Sequence, residues 1–342
     1  MKLTDEQRER YSRMLALRDF SEEDMDTIMG TTIAMLGAGG LGSPSLRLLT
    51  AIGFGRIKIV DRDIVELSNI QRQTVFNTQD IGKPKAEVAA ENLELMNPEV
   101  QFDPICISID NDNAVEILKG VDIIVDGLDS FKTRRVVNKA SLVLNIPYVF
   151  AGAVEYYANL TTFIPGKTGC LNCVMGDAQD NPENTCAHVG VSPTLLSIAA
   201  AVEVNEALKL ALGRKPDLAD HLMTIDTSTL SFDFFDIGKA VDCEVCSNPQ
   251  SHSFAKKISV NATQLCSQSY NVSPGRVMQL NLNSLAKSLE SQYSVELRKR
   301  FLIVNVTDEI RLTIMPSGNI IVKGVSRPED ATKLFNDIIG GD

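Results

Sequence analysis

The chain has 342 residues, 44% of them hydrophobic, and a formal net charge of −11 at pH 7. Its length and apolar content predict one large domain and one small one with ample core. The acidic balance, with no clustered run of Lys and Arg, argues against a nucleic-acid partner. No apolar run approaches the ~18–20 residues of a membrane span, and the start, Met1-Lys2-Leu3-Thr4-Asp5-Glu6, lacks a signal-peptide core, so a cytoplasmic protein without a membrane partner is expected.

Residues 1–30 read as an N-terminal helical arm, charged and helical in period over 5–29, with Asp19 to Asp24 opening a helix before Met25 and Ile28. From 31 onward strands and helices alternate. The pattern predicts a strand at 32–36, a helix at 43–52, a strand at 56–60 and a helix at 84–96 with Pro84 in its first turn. A strand at 101–107, a helix at 111–119, a strand at 121–128, a helix at 131–145 and a strand at 147–152 follow. Such alternation predicts an α/β fold, a doubly wound, Rossmann-like, mostly parallel sheet.

Beyond Ala153 the texture changes to consecutive strands at 158–164, 222–226 and 230–235, a cysteine-bearing loop at 166–192 and an Ala-rich helix at 194–212. This predicts an adjoining mixed or antiparallel half, so that 31–246 form one unit. Ser247-Asn248-Pro249-Gln250-Ser251 opens a linker, 247–254, and 255–342 read as a small α+β domain. There Ile310, Leu312 and Ile314 alternate, Pro316-Ser317-Gly318-Asn319 turns, and Ile320 and Val322 alternate again, which is a hairpin. Ser326 is expected to cap the following helix, with Pro328 in its first turn.

Gly37-Ala38-Gly39-Gly40-Leu41-Gly42 lies between a predicted strand and a predicted helix, the context a G-x-G-x-x-G phosphate loop requires. Its glycines let backbone N–H groups approach phosphate oxygens at a helix N-terminus, and Asp61, after the next strand, can hold ribose hydroxyls. NAD and ATP sites share those features. Charge suited to a triphosphate comes from Arg72, with Asn69 and Gln73 beyond the Asp61-Arg62-Asp63 turn, and from Lys85 in Gly82-Lys83-Pro84-Lys85. Asp129 ends the 121–128 strand, where a carboxylate borders the nucleotide crevice. Read singly, Lys85 and Arg72 could be solvated charges, Asp63 a turn former and Asp129 the N-cap of the next helix.

Four of the seven cysteines form two pairs, Cys170-Leu171-Asn172-Cys173 and Cys243-Glu244-Val245-Cys246. Four thiolates suit tetrahedral Zn²⁺, and two matched pairs favour metal over redox chemistry. Cys186 stands apart in Glu183-Asn184-Thr185-Cys186-Ala187, just before helix 194–212, where a helix end can favour its thiolate. Cys106 and Cys266 read as packing residues. The ending Ile339-Gly340-Gly341-Asp342 is read as a helix terminus rather than a self-modification signal.

Arg10-Tyr11-Ser12-Arg13, the glycine loop, Asp61-x-Asp63, Ser68-Asn69-x-x-Arg72-Gln73, Gly82-Lys83-Pro84-Lys85, Asp129 with Thr133-Arg134, and the two cysteine pairs together resemble the MoeB/ThiF/HesA group, related to the ubiquitin-activating enzyme. The resemblance runs from about Arg8 to Cys246. It implies an adenylyltransferase: the carboxyl terminus of a small ubiquitin-like or sulfur-carrier protein ending in Gly-Gly attacks the α-phosphate of ATP, giving an acyl-adenylate and pyrophosphate. On this resemblance Gly37, Gly39, Gly40, Gly42, Asp61, Asp63, Asn69, Arg72, Gln73 and Lys85 bind the nucleotide, and Asp129 holds Mg²⁺.

The same resemblance implies a homodimer in which Arg13 acts in the neighbouring subunit's site, although Met14 stands where many relatives have Gln. Cys170, Cys173, Cys243 and Cys246 become a structural zinc site, and Cys186 the residue that forms a thioester or persulfide-linked intermediate. Cys266 lacks the Arg and glycines of a rhodanese loop, so a sulfur donor, a separate sulfurtransferase, or a conjugation partner would be another protein. Two alternatives are the superfamily's ATP-dependent tRNA-adenosine dehydratase, which lacks a matching four-cysteine site, and the non-catalytic half of a heterodimeric activator. The acidic chain disfavours the first and the intact Arg13, Arg72, Lys85, Asp129 set the second.

Overall fold

The structure is a computed structural model and describes residues 3–176, 178, 180, 189–252, 254, 260–265, 269–274 and 278–339. Three short helices, α1 (Asp5–Arg10), α2 (Ser12–Leu15) and α3 (Glu22–Gly30), form the arm. The start of α3 is a capping box, in which Ser21 and Asp24 satisfy each other's backbone N–H. Then come β1 (Thr32–Leu36), α4 (Gly42–Ile52), β2 (Arg56–Val60), α5 (Lys85–Met96), β3 (Gln101–Ile105), α6 (Ala114–Leu118), β4 (Ile123–Asp126), α7 (Phe131–Leu144) and β5 (Tyr148–Val154). They are followed by β6 (Tyr157–Phe163), α8 (Leu171–Met175), α9 (Pro193–Ala211), β7 (His221–Asp226) and β8 (Ser231–Asp236).

These strands make one eight-stranded sheet in the order β3-β2-β1-β4-β5-β6-β7-β8. The first five are parallel and the last three antiparallel. Ile33, Ala34, Met35 and Leu36 are fully buried because helices cover both faces of the parallel block. Helices α4, α5 and α9 pack on one side, and α6 and α7 on the other. The chain leaves β1 for β2 on one flank and returns to β4 on the other, so the switch point lies between the carboxyl ends of β1 and β4.

Several expected bounds shift for local reasons. Helix α5 starts at Lys85, with Pro84 extended before it. The 111–119 helix shortens to α6 because Asn113 Oδ1 accepts from Asp110 N, at 2.9 Å, and holds those residues in a turn. The 121–128 strand shortens to β4, since Asp126 Oδ1 takes Leu128 N into a turn at 2.8 Å. The 166–192 loop contains α8, while 177, 179 and 181–188, and with them Cys186, lie outside the described residues, as do Cys266 and the final Gly-Gly-Asp.

The C-terminal residues form a second, antiparallel sheet from β9 (Asn261–Gln264), β10 (Ser269–Ser273), β11 (Ser294–Leu297), β12 (Leu302–Asn305), β13 (Arg311–Ile314) and β14 (Ile320–Lys323). Its order is β11-β12-β13-β14-β10-β9, with α10 (Leu282–Leu289) and α11 (Pro328–Ile338) on one face. The N-cap of α11 is Arg327 rather than Ser326, whose carbonyl instead accepts from Tyr270 Oη at 3.0 Å. Leu302, Val304, Leu312, Ile314, Ile320 and Val322 face these helices. The alternate positions Ile303, Met315 and Ile321 join the core that contains α5 and Phe102. Both faces of this sheet are therefore covered.

Where the second sheet meets α5, Glu87 is 4% exposed and its Oε2 has no hydrogen-bond partner. Burial pushes its carboxyl up to about 8, with Arg300 opposing and Glu91 and Glu94 adding to the shift. The folded chain thus holds a proton that the unfolded chain releases near pH 4.3. Stability from this group is complete below that pH and is lost as pH rises towards about 8. Glu87→Gln should accordingly gain on wild type between pH 5 and 8 in denaturant melts and hold a constant margin above that range. Parallel stability curves would show that Glu87 is ionised in the folded chain.

Candidate functional site

The loop after β1 is built for close backbone approach. Gly37 adopts φ +95°, and a Cβ there would lie 2.3 Å from Gly127 O, while one on Gly42 would lie 1.9 Å from Gly37 O. Gly37 N donates to Val60 O at 2.7 Å and Gly127 N to Leu36 O at 2.7 Å, so the ends of β1, β2 and β4 are pinned together. A Cβ on Gly39 would meet only Gln73 Nε2, at 3.9 Å, which leaves that side of the loop open. Gly40 faces Leu196 of α9. The loop leads into the N-terminus of α4, the positive end of the helix dipole, which favours an anion.

Asp61 lies at the next strand end. Its carboxylate accepts Ala38 N at 2.7 Å and Asp63 N at 2.8 Å, joining the glycine loop to the 61–63 turn. Burial raises its pKa, opposed by Lys85 and reinforced by Asp63. Lys85 heads α5 and is 6% exposed; its N donates to Asp63 O at 2.9 Å and its Nζ lies 3.5 Å from Asp63 Oδ2. Asp63 thus does more than shape the turn. Asn69 is buried and its Oδ1 accepts Glu66 N at 2.9 Å, while Asn69 O accepts Arg72 N and Gln73 N at 3.0 and 2.9 Å. This 3-10 turn presents half-buried Arg72, and Gln73 Oε1 is buried without a hydrogen-bond partner.

Across the switch point, Asp129 is exposed and makes no hydrogen bond or salt bridge to a described residue. The N-cap of α7 is Ser130, whose side chain accepts Thr133 N at 3.2 Å, so capping does not account for Asp129. A second carboxylate here carried no motif. Asp126, fully buried at the end of β4, accepts from Leu128 N at 2.8 Å, Arg134 Nε at 3.0 Å and Tyr148 Oη. Arg134 also donates to Leu128 O and Ala151 O at 2.6 and 2.8 Å, so it braces the crevice floor instead of facing the crevice. Nearby Glu203, buried on α9, accepts from Ser45 Oγ at 3.0 Å; burial and Asp126 push its carboxyl well up. An acidic residue inside an apolar strand is the signal that could have exposed this cluster.

Arg13 lies at the opposite pole. A Cβ on Gly53, at the C-terminal end of α4, would meet the Tyr11 hydroxyl oxygen at 2.4 Å, and Arg13 follows two residues later on α2. An 11-residue helix is about 16 Å long, so Arg13 sits far from the crevice at the other end of α4, and it is exposed.

The four cysteines converge. Cys170, Cys173, Cys243 and Cys246 place their Sγ atoms within 4.8 Å of one another. Individual separations are 3.9 Å for Cys170–Cys173, 3.8 Å for Cys170–Cys243 and 3.6 Å for Cys173–Cys246. A tetrahedral ion with metal–sulfur bonds of ~2.3 Å has sulfur–sulfur edges of about 3.8 Å, so the donor set fits a metal. Cys106 is buried beyond β3 as a packing residue, its thiol pushed well up by burial.

The ThiF family model matches residues 11–245, an interval that contains the glycine loop, Asp61, Lys85 and Asp129. The chain belongs to the ThiF family. This ThiF-family chain is 34% identical over 252 residues to the sulfur carrier protein adenylyltransferase of Thermus thermophilus, covering 72% of itself and 93% of that relative. It is 28% identical over 343 residues to the sulfur carrier protein ThiS adenylyltransferase of Bacillus subtilis, covering 97% of itself and 99% of that relative. Its structure resembles a crystal structure of E. coli MccB with ATP, at 26% identity and a TM-score of 0.58, covering 65% of this chain and 68% of that one. The ThiF match ends before the second sheet, whereas the Bacillus subtilis relative aligns along nearly the whole chain. Among the described residues no helix is long and apolar enough to cross a membrane.

Proposed function

We propose that this protein adenylates the C-terminal carboxylate of a small ubiquitin-like sulfur-carrier protein ending in Gly-Gly. The observation that carries the reading is the meeting of the glycine loop, buried Lys85 and uncommitted Asp129 at one switch point, in a chain whose relatives are named for this reaction. A carrier carboxylate oxygen attacks the α-phosphorus of ATP, a phosphorus–oxygen bond forms, and the bond to the β-phosphate oxygen breaks to release pyrophosphate. Gly37, Gly39, Gly40 and Gly42 admit the phosphates, and Lys85 and Arg72 counter the charge gained by the leaving group. Asp61 orients the ribose, Asp63 steadies Lys85, and Asn69 and Gln73 line the phosphate side. Asp129 would hold Mg²⁺, which supplies charge neutralisation when bound.

The outer edge of β8 suits the carrier's approach. Phe232, Phe234 and Phe235 are 42, 58 and 53% exposed on the terminal strand of the sheet. Apolar surface of this kind on a strand edge calls for a partner. In this reading Zn²⁺ at Cys170, Cys173, Cys243 and Cys246 clasps the second half and takes no part in adenylation. Four thiolates reserved for metal suit a reducing compartment such as the cytoplasm. Cys186 receives the acyl group by displacing AMP, and a separate sulfurtransferase or conjugation partner completes the transfer.

The deciding experiment incubates the protein with ATP, Mg²⁺ and candidate Gly-Gly carriers and follows labelled pyrophosphate into ATP. Carrier-dependent exchange is expected, together with a reductant-sensitive adduct that Cys186→Ala abolishes while exchange survives. Exchange independent of any carrier protein would overturn the substrate class. The polar separation of Arg13 from its own crevice supports a homodimer in which Arg13 of the partner subunit completes the site. Mixing Arg13→Ala with Asp129→Ala subunits should therefore restore part of the exchange lost by each. No recovery after verified subunit exchange would place Arg13 outside the site.

A further inference from the structure

The inner face of the second sheet carries one cross-strand row, Ile303, Thr313, Ile321 and Asn271, fixed by the β12–β13–β14–β10 register. All four are buried, with Ile303 and Ile321 in the core shared with α5. Asn271 is the amide in this row, and a buried amide must find partners. Its Nδ2 donates to Arg62 O at 3.2 Å and to Cys106 O at 3.0 Å. From the β13–β14 turn, Asn319 Nδ2 reaches the same Cys106 carbonyl at 3.5 Å. One side-chain NH₂ group thus ties together the chain segments leaving β2 and β3.

The carbonyl on the β2 side belongs to the Asp61-Arg62-Asp63 turn. That turn is otherwise held by Asp61 N to Ile105 O at 3.1 Å, by the Asp61 carboxylate on Ala38 N and Asp63 N, and by Lys85 N to Asp63 O. The same sheet grips α5, the helix that begins with Lys85: Lys299 Nζ lies 2.6 Å from Glu94 Oε2, and Arg300 pairs with the other carboxylate oxygen. The 61–63 turn and α5, which carry Asp61 and Lys85 to the crevice, are therefore both seated on the second sheet.

We propose that Asn271, assisted by Asn319, is a positioning residue through which the C-terminal sheet sets the 61–63 turn for the nucleotide. The proposal rests on the nucleotide reading of Asp61. Because the bonds act on the turn and not on the reacting atoms, their loss raises the KM for ATP and spares kcat. Asn271→Leu keeps the volume and removes both donors. It should raise the KM for ATP in pyrophosphate exchange about tenfold, the size of one lost hydrogen bond, with kcat changed less than about twofold.

In the free protein the same variant should speed hydrogen exchange of the 61–65 amides and leave β4 unchanged. Asn319→Ala serves as a milder second variant should Asn271→Leu fail to fold. Thr313→Val, on the same row but without a hydrogen bond to the turn among the described residues, should leave both readouts at wild-type values. A folded Asn271 variant with unchanged exchange at 61–65 and unchanged KM overturns the proposal, as does a fall in kcat at constant KM. If wild type catalyses no pyrophosphate exchange, the nucleotide reading falls instead, because hydrogen exchange is measured without nucleotide.

Discussion

Asp129→Ala is expected to abolish carrier-dependent pyrophosphate exchange, by at least about a hundredfold, and to leave the melting temperature where it is. Both halves of that result follow from the position of the carboxylate. It is exposed at the switch point with no hydrogen bond or salt bridge to a described residue, so its removal strips no packing. The cap of α7 is supplied by Ser130, so the helix keeps its first turn. What is lost is the negative charge that would hold Mg²⁺ against the phosphates, and the transition state carries that loss in full. Asn at the same place should be nearly as damaging, because it keeps the shape and lacks the charge. Near-normal exchange in either variant would remove Asp129 from the site.

Cys170→Ser should remove the zinc proposed at the four cysteines and lower the melting temperature on the order of 10 °C, as loss of a structural metal would. The substitution isolates the metal because Cys170 is also the N-cap of α8, with extended backbone, and serine is a favoured residue there. The N-cap position therefore tolerates the change while one of four thiolates disappears. Metal analysis of wild type purified without chelator should return one zinc per chain. The absence of zinc, or a variant that melts with wild type, would leave four neighbouring thiols with no ion to hold.

Much of the fold is written locally. Strands β1 and β2 coincide with the expected 32–36 and 56–60, since each is a short apolar run bounded by turn residues. The glycine loop was readable because its spacing reports a backbone constraint, seen here as Cβ positions that would strike Gly127 O and Gly37 O. Element ends were less legible: Ser130 and Arg327, rather than Asp129 and Ser326, occupy N-cap positions, a choice made by backbone angles one residue away. The Asp126–Arg134–Tyr148 brace was only hinted at, by an acidic residue inside an apolar strand, because its partners come from the two elements that follow, α7 and β5. The inner face of the second sheet lies between these cases. Ile310, Leu312 and Ile314 announced one buried face, while the run Ile320-Ile321-Val322 already carried the apolar continuity of a strand covered on both sides.

The two ends of the eight-stranded sheet differ in a way that bears on stoichiometry. At one end, β3 carries Pro104, which has no N–H to offer, and its exit is closed by Asn271 and Asn319 on the Cys106 carbonyl. At the other end, β8 keeps an outer edge that no described strand occupies. Growth of this sheet by strand pairing is therefore one-ended. A second copy meeting the first β8 to β8 saturates it, and the joined sheet then presents only its two β3 ends. If the proposed carrier docks on this apolar edge, the one-ended sheet keeps that edge from becoming a polymerisation surface along the sheet.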